Sequence, residues 1–245
     1  MIEISVPDGT AEAILARPDD SAGHPGVLLY MDAIGLRPRI QEMADRIASW
    51  GYVVLAPNLF YRDGSVEDLA PKGDLRQPGE RESFFAGIGP RIGSMTPERV
   101  RADNESYVRT LRALDGVADG PVGAVGYCMG ARLAVQVAGA HPGVIAAVGG
   151  FHGGGLVTEE PASPHLSLAT ARAEFVFGHA DNDSSMGPDA IERLGQALKD
   201  AGLTAVNEVY AGAPHGYTMS DTSMYDEAGC ERHFTALRAL FTRAL

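Results

Sequence analysis

The sequence predicts an α/β protein built on a mostly parallel sheet with helices on both faces. Three observations predict it. Short apolar runs bounded by Gly and Pro alternate with stretches whose apolar residues recur every three or four positions, the pattern of strand–helix–strand units. The chain has 245 residues, a length at which such folds commonly form one domain. No repeat, low-complexity tract or linker interrupts the alternation, so residues 1–245 are expected to form a single domain.

Residues 2–6 and 11–17 flank Pro7-Asp8-Gly9 and read as a β-hairpin. Pro25-Gly26 opens the apolar run 27–31, a buried strand. Over 38–50, Ile40, Met43, Ala44 and Ile47 fall at i, i+3, i+4 and i+7, the apolar stripe of an amphipathic helix, and Gly51 stands where a helix is capped. Residues 52–56 form the next strand, stopped by Pro57.

Residues 58–97 are punctuated by Gly64, Pro71, Gly73, Pro78, Gly79, Gly87, Gly89, Pro90, Gly93 and Pro97. They predict a loop-rich excursion near the active site, since long ordered loops in compact domains commonly carry function. Thr96-Pro97-Glu98 is a helix start, with proline where its missing N–H costs nothing, and predicts a helix to about residue 114. Strands follow at 121–127, 144–151, 174–177 and 205–210, with helices at 129–140, 188–201 and 225–244.

Apolar residues make up 45% of the chain and charged residues 21%, a globular composition that excludes a disordered or collagen-like chain. The net charge of −12 repels phosphate backbones and anionic lipid, so neither nucleic acid nor a membrane surface is an expected partner. No apolar run approaches the roughly 18 residues of a membrane span. The start of the chain lacks a basic segment followed by an apolar one, so no secretory signal is read. Two cysteines make no disulfide framework, which favours a reducing, cytoplasmic compartment. A monomer or homodimer is expected, acting on a small molecule.

The sharpest feature is Gly126-Tyr127-Cys128-Met129-Gly130, where a strand runs into a helix. This is the nucleophile-elbow pattern with cysteine in place of serine. The turn is so tight that the residues two before and two after the nucleophile crowd the neighbouring strand and helix, and glycine removes the clash. The helix N-terminus aims N–H groups and a positive dipole end at the sulfur, favouring thiolate, the reactive form. Cys230, in a terminal helix without such a frame, reads as a buried small apolar residue.

A thiol nucleophile needs a base and a group that orients the base. Both are expected on loops at the carboxyl edge of the sheet. His215, in Pro214-His215-Gly216 after the last strand, supplies the base. Asp181, in Gly178-His179-Ala180-Asp181, supplies the acid and is favoured over Asp183 because it lies nearest the predicted strand end. Oxyanion donors are expected from the backbone N–H groups of Met129 and of Ala33, in the loop after the first buried strand. His152-Gly153-Gly154-Gly155 copies an oxyanion motif of some lipases, but it falls after the nucleophile instead of before it, so it reads as a rim loop. The seven histidines show no metal-ligand spacing, and the glycines around 120–126 lack the dinucleotide fingerprint, so no metal and no cofactor is expected.

These residues resemble the dienelactone hydrolase family. The resemblance rests on the elbow, on Gly178-His179-Ala180-Asp181, on Pro214-His215-Gly216 and on the run from Gly51 to Phe60, and it covers nearly the whole chain. It implies an α/β-hydrolase fold with an eight-stranded sheet, a Cys128-His215-Asp181 triad, and hydrolysis of an ester or lactone through an acyl-enzyme. It also implies that Asp32, matching a family glutamate, pairs with the resting thiol. The family archetype has an arginine for the substrate carboxylate four residues after its histidine, where this chain has Met219. Arg62, Arg91, Arg99 or Arg101 could replace it, and Arg62, Arg91, Tyr127 and His152 are the expected substrate contacts. Two other readings use the same residues. One is a non-catalytic binding or regulatory protein on a hydrolase scaffold, and the other is an acyltransferase.

Overall fold

A computed structural model describes all residues, 1–245. Eight strands form one sheet: β1 Ile2–Val6, β2 Gly9–Ala16, β3 Gly26–Tyr30, β4 Val53–Pro57, β5 Val122–Tyr127, β6 Ile145–Phe151, β7 Glu174–Ala180 and β8 Ala205–Tyr210. Their spatial order is β1-β2-β4-β3-β5-β6-β7-β8. The β1–β2 and β2–β4 pairs are antiparallel and every later pair is parallel. This is the mostly parallel eight-stranded sheet of an α/β-hydrolase.

The helices are α1 Pro38–Ala48, α2 Val66–Leu69, α3 Glu80–Ala86, α4 Gly89–Gly93, α5 Pro97–Ala113, α6 Met129–Ala140, α7 Pro188–Asp200 and α8 Glu227–Ala244. Every residue of β3, β4 and β5 is buried, which is why these strands read as unbroken apolar runs. Small residues let the two helical layers approach. A Cβ on Gly123 or Gly149 would press into Phe241 or Leu237 of α8, and one on Gly26 into Leu111 of α5. Ile40, Met43, Ala44 and Ile47 are buried along α1 as their spacing requires. Thr96 caps α5 by accepting from the Arg99 N–H, with Pro97 in the first turn.

Two elements differ from expectation. The excursion holds three short helices, α2 to α4, of which α2 is started by a reciprocal Ser65–Asp68 capping box. Strand β7 does not stop at Phe177 but pairs with β8 as far as Ala180↔Tyr210. Gly178 permits this, because a Cβ there would lie 2.7 Å from the Tyr210 ring and 2.8 Å from the Tyr217 hydroxyl. That three-residue extension moves the end of the strand towards the acid of the site.

Candidate active site

The loops after β3, β5, β7 and β8 converge at the carboxyl edge of the sheet, where parallel α/β sheets build their sites. They enclose a cavity of about 810 Å³ that Cys128, His215, Asp183, Ala33 and Met129 all line.

Cys128 sits between β5 and α6 with φ 53° and ψ −117°. Such a conformation costs a non-glycine residue on the order of 1–3 kcal/mol and persists only where its surroundings enforce it. They do so by close packing. A Cβ on Gly126 would lie 2.2 Å from the Gly130 carbonyl oxygen, and one on Gly130 would lie 2.4 Å from that of Tyr30. The Cys128 N–H donates to the Phe151 carbonyl at 3.1 Å, pinning the bend to the next strand. The result is a partly exposed thiol at the cavity wall.

His215 bridges two groups. Its Nε2 lies 3.0 Å from the Cys128 Sγ and its Nδ1 lies 2.6 Å from Asp183 Oδ2. Burial disfavours the charged imidazole, but the Asp183 carboxylate and the Cys128 sulfur outweigh it and lift His215 to about 10. Burial likewise opposes the charge on Asp183, yet bonds from His215 and Ser185 bring that carboxyl down to about 2. Ser185 donates to Asp183 Oδ1 through both its backbone N–H and its hydroxyl, at 2.9 and 2.7 Å.

The acid beside the histidine is therefore Asp183 and not Asp181. Because β7 runs to Ala180, Asp181 is the first residue past the strand. Its N–H donates to the Ala213 carbonyl and its Oδ2 accepts from the Gly212 N–H at 2.8 Å. These bonds tie the β7 loop to the β8 loop. Asn182, with φ 52°, then turns the chain so that Asp183 comes beneath the imidazole.

Asp32 is also placed otherwise than expected. Its carboxylate faces Arg37, with Nη1 to Oδ1 at 2.6 Å and Nη2 to Oδ2 at 3.0 Å, and makes no bond to Cys128. The pair is only 5% exposed on each side, so Arg37 neutralises the charge that would otherwise be free to hold a thiol proton.

Four expected substrate contacts lie away from the cavity. Arg62 is engaged by Asp103 at 2.7 Å and Asp8 at 2.6 Å. Arg91 lies over the Phe60 ring and lines a separate, smaller cavity. Tyr127 is fully buried, because strand alternation turns it to the α8 face, where its hydroxyl meets His233 Nε2 at 3.2 Å. His152 is also fully buried, with Nε2 against Thr218 Oγ1 at 2.7 Å and its ring edge-on to His215. Desolvation, together with the nearby His215 and His233, holds it well below the usual histidine range, so it is neutral. The rim is formed instead by its neighbours Gly154 and Gly155.

The arginines that do line the cavity are Arg81, from α3, and Arg132, from α6. Arg132 stands four residues after Cys128, one helical turn on, a spacing that sequence reasoning could have used. Its Nε is buried without a protein partner, and desolvation lowers its affinity for a proton against the opposing pull of Cys128. Arg81 carried no such signal, since α3 is short and lies in a segment without periodicity.

The profile of the dienelactone hydrolase family matches residues 11–245. A Methylorubrum extorquens protein provisionally named a carboxymethylenebutenolidase is 26% identical over 221 residues, which cover 88% of this chain and 71% of that protein. The carboxymethylenebutenolidase of Rhodococcus opacus is 26% identical over 199 residues, covering 81% and 72%. The crystal structure of a provisionally named dienelactone hydrolase from Klebsiella pneumoniae superposes with a TM-score of 0.79 at 23% identity, covering 98% of this chain and 97% of that one. No helix is long and apolar enough to cross a membrane. The chain belongs to the dienelactone hydrolase family and is an ester or lactone hydrolase of the α/β-hydrolase fold.

Proposed function

We propose that the protein hydrolyses a carboxylate-bearing ester or lactone through a thioester on Cys128, with His215 as acid–base and Asp183 orienting it. The observation that carries this is the His215 ring, held at 3.0 Å from the sulfur by one nitrogen and at 2.6 Å from a carboxylate by the other. Across that contact His215 Nε2 takes the thiol proton, and the Asp183 carboxylate on the other nitrogen steadies the imidazolium that forms. The sulfur then attacks the substrate carbonyl as thiolate.

As the carbon–sulfur bond forms, the carbonyl oxygen takes the negative charge. Ala33 and Met129 both line the cavity beside the nucleophile, which suits their backbone N–H groups to receive that oxyanion. Collapse of the intermediate breaks the carbon–oxygen bond, and the proton on His215 Nε2 passes to the departing alkoxide. In a lactone that alkoxide stays on the same molecule. Neutral His215 next takes a proton from water, the hydroxide attacks the thioester, and the acid leaves with the thiolate restored and its proton again on the ring.

Arg81 and Arg132 fit a substrate carboxylate, since each brings a forked donor to a cavity that also holds the nucleophile. Both cysteines are free thiols, which supports a reducing, cytoplasmic setting.

The test is a panel of aryl esters and lactones, with and without a carboxylate, assayed on the wild type and on Cys128→Ala, with intact-mass detection of an acyl adduct. Turnover lost in Cys128→Ala and an adduct on the wild type are expected. Turnover retained in Cys128→Ala overturns the nucleophile. An adduct that transfers only to added alcohols or amines favours the acyltransferase, and no turnover or adduct on any substrate favours the binding protein.

A further inference from the structure

Arg37 is the most heavily bonded buried cation of the molecule outside the triad, and hydrolysis as proposed does not use it directly. Its side chain is 5% exposed. One nitrogen, Nη1, donates to Asp32 Oδ1 at 2.6 Å and to the Gly35 carbonyl at 2.9 Å. Nη2 reaches Asp32 Oδ2 at 3.0 Å, the Met219 sulfur at 3.2 Å and Asp221 Oδ1 at 3.2 Å. Nε donates to Asp221 Oδ2 at 2.5 Å. All three nitrogens are thus committed to two loops.

The first loop, residues 32–35, is a tight turn. The Gly35 N–H donates to the Asp32 carbonyl, the Ile34 N–H donates to Asp32 Oδ1, and Gly35 has φ 107°. Ala33 lies inside that turn, so the direction of its N–H is set by how the turn is anchored. The second loop carries His215 and continues through Tyr217, Thr218 and Met219 to Asp221. Arg37 sits between the two and bonds both.

We infer that Arg37 is a positioning residue that locks the oxyanion turn at Ala33 to the histidine loop through Asp32 and Asp221, so that donor and base keep a fixed spacing across the substrate carbonyl. The kinetic consequence rests on the hydrolysis proposed above, whereas the clamp itself does not. The planar fork is what the role requires. A lysine ammonium supplies the charge from a single point and cannot hold two carboxylates and a carbonyl in set directions.

The test uses the full chain and three readouts on Arg37→Lys and on Asp221→Asn, whose carboxylate is 35% exposed and leaves the Asp32–Arg37 pair intact. Amide hydrogen exchange reads the clamp directly. In Arg37→Lys it should rise about tenfold or more in both 32–36 and 216–222, and in Asp221→Asn in 216–222 alone. Ester turnover reads the oxyanion turn. The kcat should fall about 10²-fold in Arg37→Lys with KM little changed, the scale of a misplaced donor. Iodoacetamide alkylation of Cys128 needs the thiolate but no oxyanion donor, so its rate should stay within about twofold of wild type.

Unchanged exchange in both segments of a folded Arg37→Lys overturns the clamp, and so does alkylation that falls in step with turnover. Where Arg37→Lys fails to fold, the Asp221→Asn exchange pattern decides: no rise in 216–222 overturns the inference. A wild type without Cys128-dependent turnover defeats the proposed hydrolysis, while exchange still decides the clamp.

Discussion

Asp183 Oδ2 lies 2.6 Å from His215 Nδ1, although Asp181, two residues earlier, stands closer to the end of the strand. Asp181 instead joins the two loops through Gly212 and Ala213. Asp183→Asn should therefore lower kcat by about 10³–10⁴, the loss seen when a triad histidine is held in the wrong tautomer. Asp181→Asn should cost less than about tenfold, because the asparagine oxygen still accepts from the Gly212 N–H and only the charge of that bond is lost. Parallel kinetics of the two variants on an activated ester check the assignment, and the reverse ranking rejects it.

The pairing also sets a pH dependence of stability. Asp183, depressed to about 2, contributes above its unfolded value near 3.9 and loses that contribution as the pH falls towards 2. His215, raised to about 10, contributes fully below its unfolded value near 6.5 and loses it as the pH rises towards 10. The stability gap between wild type and Asp183→Asn should be widest at about pH 4–6.5 and narrow by pH 9. Urea unfolding at pH 5 and pH 9 measures it, and a gap that widens with pH contradicts the pairing.

The same ion pair predicts the reactivity of Cys128. Iodoacetamide should alkylate it at a rate that is nearly flat from about pH 6 to 9, because an imidazole 3.0 Å from the sulfur is placed to take its proton. In His215→Ala the rate should climb with pH towards the ordinary thiol value near 8.5. A wild-type profile that climbs in the same way shows a thiol left undisturbed by the imidazole.

The elbow glycines should resist substitution for a reason independent of chemistry. Gly126→Ala puts a methyl group 2.2 Å from the Gly130 carbonyl, where backbone must move, so a loss of about 3 kcal/mol or more is expected. Gly143→Ala, whose Cβ would meet nothing within 4 Å, should change stability by no more than about 0.5 kcal/mol. Thermal melts of the two variants provide the comparison.

Arg132→Met should raise KM about 10–100-fold for an ester bearing a carboxylate, the range of one charge-assisted bond, and leave a neutral acetate ester unaffected. The ratio of kcat/KM for the two substrates is the measurement. An equal loss on both places Arg132 in the framework and not against the substrate.

Local patterns in the chain carried the sheet, the order of its elements and the elbow. Apolar runs at β3, β4 and β5 are legible because a strand buried on both faces must be apolar throughout. Gly126 is legible because its clash with Gly130 lies within five residues, whereas Gly130 is read from the elbow spacing and its own clash is with the carbonyl of Tyr30 on a neighbouring strand. His215 was legible from its place after the last strand. Partner choice was not local, and there only the tertiary structure decided. Whether Asp181 or Asp183 reaches the imidazole depends on three extra residues of β7 pairing with β8 and on the turn at Asn182. Whether Asp32 meets the thiol or a cation depends on Arg37 folding back between the Asp32 turn and Asp221, which lies 184 positions further along the chain than Arg37. Whether Arg81 lines the cavity depends on where the short helix α3 of the excursion settles. Backbone pattern is written in the spacing of neighbouring side chains, whereas a charge takes its partner from whatever the finished fold brings within 3 Å.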